Sequence, residues 1–101
     1  MPSLEQLERL LTLDPADAFV LYAIAQEHAK VGRHAQAVEF YDRCLAVDPN
    51  YCYAYYHKAK SQQHMDREPD AAATLRAGVD VARRVGDAKA LNEMQGFLAV
   101  L

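Results

Sequence analysis

Glycine and proline are scarce in this 101-residue chain, four of each, and there are two cysteines, Cys44 and Cys52. Two thiols build neither a disulfide framework nor a four-ligand metal site, so both read as reduced side chains. No apolar run approaches the roughly 18 residues of a membrane span, so no membrane partner is expected. Cationic excess is missing too. Eleven Lys and Arg face fourteen Asp and Glu, a formal net charge of −3. Residues 1–50 hold four basic and eight acidic side chains, residues 51–101 seven and six. Neither half is the basic body that phosphate neutralisation requires, so nucleic acid is not an expected partner. The start lacks the cationic and apolar regions of a signal peptide, which makes the cytoplasm the expected location. Motifs of catalysis are absent as well: no Gly-rich phosphate loop, no His-Glu-x-x-His, no C-x-x-C, no Ser on a strand-to-helix elbow. The expectation is therefore no enzyme, no cofactor and no metal.

What is present is an ordinary globular composition, 51% hydrophobic and 25% charged, in a length that makes one domain. Ala is abundant and β-branched residues are sparse, which points to helices. The chain also repeats itself. Leu13-Asp14-Pro15 and Val47-Asp48-Pro49 are one apolar-Asp-Pro device placed 34 residues apart. The same shift superimposes Leu11 on Leu45, Tyr22 on Tyr56, Ala25 on Ala59, Arg33 on Arg67 and Ala37 on Ala71.

Each period reads as two helices, because apolar side chains recur at spacings of three and four. The first runs from about Ala16 to Val31, with Asp14 as N-cap, Pro15 in the first helical position and Gly32 as the left-handed stop. A second spans about His34 to Val47 and ends at Asp48-Pro49. The third, about Tyr51 to Met65, stops at Asp66, where the first period has Gly32. A fourth begins near Glu68-Pro69. It meets Arg83 where the period calls for proline, so it runs one turn longer, to Val85-Gly86. Ser3 caps an opening helix over Leu4–Leu13, and Asp87 caps a last one over Ala88–Ala99. The sum is an all-α fold of about six helices.

The pattern resembles the tetratricopeptide repeat family, whose 34-residue unit reads W-x-x-L-G-x-x-Y, then A-x-x-x-F, then P. Leu21, Ile24, Ala25, His28, Ala37, Tyr41 and Pro49 hold those places in the first unit. Tyr55, Lys58, Ala59, Gln62, Ala71, Leu75 and Arg83 hold them in the second. Lys58 and Gln62 stand where the family is apolar or aromatic. The resemblance implies an αα-hairpin superhelical solenoid divided as 1–14 (half-repeat or capping helix), 15–48 (first repeat), 49–85 (second repeat, with an extended second helix) and 86–101 (C-terminal capping helix). It implies a non-catalytic module for binding a protein or peptide.

In that family the first helices of successive hairpins line a concave groove. Phe19, Tyr22, Gln26 and Lys30 of one hairpin, and Tyr53, Tyr56, His57, Lys60, Gln63 and His64 of the next, fall on the corresponding face. Aromatic anchors mixed with amide and cationic donors suit an extended peptide or a partner helix. The plainer alternative is that Tyr22, Tyr53 and Tyr56 cover the core or pack on the terminal helices. Some members grip a terminal carboxylate at groove places that here hold Tyr22, Gln26 and His57, so that specificity does not carry over.

The remaining features have structural readings. His57 and His64, seven apart on one helix, lie about 10 Å apart along it and cannot share a metal directly. His28 and His34 flank the Gly32 turn as solvated or edge-of-core residues. Cys44 fills a small buried place shared with Gly78, and Cys52, at a helix start, is where a dipole lowers a thiol pKa. The apolar end, Phe97 to Leu101, either packs back on the long helix 68–85 or offers a surface for a homodimer. The second option gives an alternative function, a structural unit that self-assembles through its C-terminal helix.

Overall fold

The structure, a computed structural model, describes residues 2–101. Six helices follow in order: α1 Leu4–Leu13, α2 Ala18–Lys30, α3 His34–Val47, α4 Cys52–His64, α5 Glu68–Val85 and α6 Ala88–Ala99. Among the described residues there is no strand. Side chains that satisfy orphan amides open three of these helices. At α1, the Ser3 hydroxyl accepts from the Gln6 amide at 3.2 Å while Gln6 Oε1 accepts from the Ser3 amide at 2.8 Å, a complete capping box.

The entry to α2 differs from the sequence expectation. Asp14 caps the end of α1 and folds its carboxylate onto the Ala16 amide at 3.1 Å, which places Pro15 in a turn outside the helix. The N-cap is Asp17, whose carboxylate accepts from Val20 N at 3.1 Å. Two acids three residues apart divide the work: the first makes the turn and the second starts the helix.

Helix ends follow the backbone chemistry. Gly32 closes α2 at φ +83° and Gly86 closes α5 at φ +78°. Asp66, one period after Gly32, takes the same left-handed conformation at φ +58° and is the one non-glycine to do so among the described residues. No proline checks α5, so it extends for 18 residues against 14 in α3. Arg83 and Arg84 lie in its last turn and complement the dipole. Arg84 also donates to Asn50 Oδ1 at 2.7 Å, tying the end of α5 to the turn before α4.

The core is a row of three clusters rather than a centre. Leu7 of α1 packs on Val20, Ala23 and Ile24 of α2. Leu21, Ala25, Ala37, Tyr41, Cys44 and Ala54 join α2, α3 and α4. Leu75, Val79, Ala82, Ala90 and Met94 lead the third, which joins α4, α5 and α6. Ala25, Ala37, Ala59 and Ala71 are wholly inaccessible, which lets the helix pairs approach. Full burial of side chains such as Leu21, Ile24 and Leu75 stabilises by about 1.5–3 kcal/mol each, so every interface carries weight of its own.

Polar pairs explain the two departures from the repeat pattern. Lys58 Nζ meets Asp42 of α3 at 2.6 Å. Gln62 Oε1 accepts from the buried Thr74 hydroxyl of α5 at 2.7 Å. Each links its helix to a neighbour where an apolar contact would otherwise do so. The apolar tail packs back: Phe97, Leu98 and Leu101 lie against the α4–α5–α6 cluster, leaving Val100 exposed. Both thiols are buried. Burial pushes Cys44 up to about 11. It raises Cys52 too, with the Asp87 carboxylate adding to the effect, so the lowering expected at a helix start is overridden.

Candidate partner-binding groove

The first helices of the two hairpins, α2 and α4, lie on one side of the solenoid and leave a cavity of about 360 Å³ between their C-terminal halves. Gln26, Lys30, His57, Lys60 and His64 are five expected groove residues that the fold brings to its wall. Glu27, Ala29, His34, Tyr41 and Ser61 join them without having been expected there.

The other five expected residues lie outside the cavity wall. Tyr22 forms a half-buried floor beside it, with ring centroids 4.8 Å from Tyr51, 5.8 Å from His57 and 6.0 Å from Tyr41. Phe19, one turn earlier, is 65% exposed. Tyr56 meets Phe97 of α6 nearly edge-on at 5.8 Å, and Tyr53 lies beside Glu93 of that helix. Gln63 is exposed and off the cavity. Tyr53 and Tyr56, their rings 6.3 Å apart, are thus half-buried against the α4–α5–α6 cluster.

His34 is the residue that sequence reasoning misplaced. As the first residue of α3 it follows the Gly32 turn directly. That turn swings it beside the end of α4, where its ring stacks on His64 at 4.6 Å with planes 1° apart. Its Nδ1 shares a hydrogen bond with the buried Ser61 hydroxyl at 3.1 Å. The signal was available in the period, since Lys30 and His64 are 34 residues apart and so end equivalent helices. His28, across the turn, faces another way, stacking on Phe40 at 5.5 Å and accepting from Arg33 Nε at 2.9 Å.

The electrostatics of the cavity are lopsided. Glu27 pairs with Lys30 at 3.2 Å. Lys60 lies 5.5 Å over the Tyr56 ring and has no carboxylate within ion-pair distance among the described residues. Burial lowers the pKa of His57, and the Lys60 charge lowers it further against the pull of Glu93. Burial and the His64 ring lower His34. Tyr22 and Tyr41 are raised by burial and stay protonated. No three potential ligands come together to hold a metal ion among the described residues.

A family model for the tetratricopeptide repeat matches residues 18–51. The crystal structure of a tetratricopeptide repeat domain protein from Salinibacter ruber is 37% identical, covering 82% of this chain and 92% of that one, with a TM-score of 0.76. This chain belongs to the tetratricopeptide repeat family. A solution NMR structure of a tetratricopeptide repeat domain protein from the same organism gives 38% identity, coverage of 85% and 87%, and a TM-score of 0.79. The TPR2B domain of yeast Sti1, in its pHsp70 complex, is 22% identical and shares the fold, with a TM-score of 0.90 over 95% of this chain and 77% of that one. No curated protein sequence matches the chain. Tetratricopeptide solenoids are non-catalytic scaffolds of protein–protein interaction, and that general role is this protein's. No helix among the described residues is long and apolar enough to cross a membrane.

Proposed function

We propose that this tetratricopeptide solenoid binds a segment of a partner protein, an extended peptide or a short helix, in the groove between α2 and α4. One observation carries the reading. The cavity is walled by side-chain donors from α2, α3 and α4, and it opens beside an aromatic shelf made by Tyr53 and Tyr56. Aromatic anchors beside directed polar groups are what concentrate binding energy at an interface. The solenoid of the same fold in yeast Sti1 forms a complex with pHsp70. Reduced, buried Cys44 and Cys52 suit a cytoplasmic setting.

Selection from a random peptide display library on the immobilised protein tests this. Selected peptides should lose about tenfold in affinity with Lys60→Ala or Tyr56→Ala, the size of one good interface contact. Arg76→Ala, on the exposed face of α5, should leave them unaffected. Sensitivity to Arg76→Ala alone would move the site to the other face.

A second reading is self-association, in which copies stack end to end without use of the groove. It rests on Leu13 and Val100, 82% and 77% exposed near opposite ends of the helix row. Sedimentation equilibrium over a wide concentration range decides it, and a monomer throughout removes it.

A further inference from the structure

The hairpin interfaces α2–α3 and α4–α5 are the most extensive in the molecule, and each terminal helix carries one unmatched half of that same interface. Cys44 of α3 is wholly buried, in one cluster with Leu21 and Ala25 of α2. One period later stands Gly78 of α5, where a Cβ would lie 2.6 Å from Tyr55 Cβ of α4. One period earlier the same place is Leu10 of α1, and it is 45% exposed. Its neighbour Leu7 is covered by α2, the first helix of the next hairpin. What Leu10 lacks, among the described residues, is the first helix of its own hairpin. Gln6 and Leu13 continue this flank at helical spacing, exposed and uncharged, while Glu5, Glu8 and Arg9 fall on the opposite one.

Helix α6 carries the reciprocal half. It starts at Ala88 as α4 starts at Cys52, and the two match place for place: Ala90 is buried like Ala54, and Met94 packs on α5 where Lys58 reaches α3. In α4 the flank Tyr55, Ala59 and Gln62 is turned to α5, with Ala59 wholly buried and Gln62 accepting from Thr74. The same flank of α6 is Leu91, Gln95 and Leu98, the glutamine exposed and the leucines half-buried. Its charges, Lys89 and Glu93, are four residues apart on a different side. The end of a solenoid that faces water is ordinarily polar, so two uncharged flanks of matching type call for a cover.

We propose that these flanks cover one another: Leu10 of one copy packs on Leu91 of a second, and α6 with the incoming α1 forms a complete hairpin across the contact. The occupant is a second copy because the flank of α1 fits the first helix of a hairpin, the flank of α6 fits a second helix, and this chain presents one of each. The pairing repeats the Cys44–Leu21 and Gly78–Tyr55 arrangement found twice within the chain. Such a contact is heterologous, so it propagates into chains or rings instead of closing a two-fold dimer. In that assembly α2, α4, α6 and the next copy's α2 are successive first helices, and the concave face runs on between copies. The proposal rests on the self-association reading, to which it assigns residues and a direction, and it leaves the groove open.

Added thiols on the full chain test the geometry, since the native cysteines are buried. Leu10→Cys and Leu91→Cys chains, mixed and air-oxidised, should form a covalent dimer on a non-reducing gel, and neither variant alone should do so. Thr12→Cys, exposed on the opposite flank of α1, should not cross-link with Leu91→Cys. Sedimentation equilibrium of the unmodified chain should show species beyond a dimer that grow with concentration. Leu10→Glu, which places a charge in the contact, should weaken association about tenfold or more. Cross-linking of Leu10→Cys to itself, association indifferent to Leu10→Glu, or growth that stops at a dimer overturns this geometry and leaves self-association standing. A monomer at every concentration overturns both and leaves the groove reading untouched.

Discussion

At Gly78 and Gly96 the same side-chain loss has opposite meanings. Both sit inside helices, where replacement of Gly by Ala ordinarily gains about 0.5–1 kcal/mol. A Cβ on Gly78 would lie 2.5 Å from Met94 Sδ and 2.6 Å from Tyr55 Cβ, and the latter is anchored to backbone and cannot withdraw. A Cβ on Gly96 meets nothing within 4 Å. Gly78→Ala should therefore overpack the α4–α5–α6 junction and cost about 1–3 kcal/mol, while Gly96→Ala should stabilise. In thermal melts the first lowers Tm and the second raises it, by about 4–8 °C per kcal/mol in a domain of this size. Two melts shifted in the same direction would contradict the packing. The sequence already paired Gly78 with Cys44 as one small, buried place. It could not show that Tyr55 and Met94 converge on it, because Met94 lies beyond the point where the longer α5 breaks the period.

Helices were the most legible level. Five of the six begin or end where caps, proline and the left-handed residues say they should, because these signals act within a turn of their own position. The start of α2 was the exception, since Asp14 and Asp17 are equally good caps in isolation. The turn geometry between the helices assigns their roles. Asp17→Ala removes the N-cap of α2 and should cost about 1 kcal/mol. Asp14→Ala removes one exposed turn contact and should cost less, as an exposed hydrogen bond does. Urea unfolding of the two variants checks the order, and a larger loss at Asp14 would restore it as the cap. The second repeat also shows how a family pattern can be broken without loss of the element. Lys58 and Gln62 keep α4 in place through Asp42 and Thr74, partners on the helices that precede and follow it in sequence.

Across the whole molecule, stability is spread along a row of interfaces, with Cys44 inside that row and His28, His34 and His57 half-buried. His28, His34 and His57 are each lowered from 6.5, chiefly by burial. Their contribution to stability is complete above 6.5 and is lost as pH falls through the lower folded values. Cys44 works the opposite way. Its thiol is raised from 9.0 to about 11, so its contribution is complete below 9.0 and is lost as pH rises through the folded value. Tyr51, raised from 10.0 to about 12, extends that limb. Melting temperature should be greatest between about pH 7 and about pH 9 and fall on both sides. A profile flat from about pH 5 to about pH 8 would mean that the imidazoles are not shielded by the fold.

The groove was only partly legible for a related reason. Helical spacing gives the face on which a side chain lies, but the cavity is made where three helix ends meet, and two of those ends belong to different hairpins. Lys60 and His64 follow from spacing alone. His34 requires the turn at Gly32 to be placed against the end of α4, and Tyr56 requires knowing that Phe97 folds back onto it.

The most direct test of partner binding in the groove is an amide-shift map of the ¹⁵N-labelled protein bound to a selected peptide. The account predicts the largest changes at Gln26, Lys30, His57, Lys60 and His64, spreading along the aromatic shelf to Tyr53 and Tyr56. Changes confined to the exposed faces of α3 and α5 would contradict it.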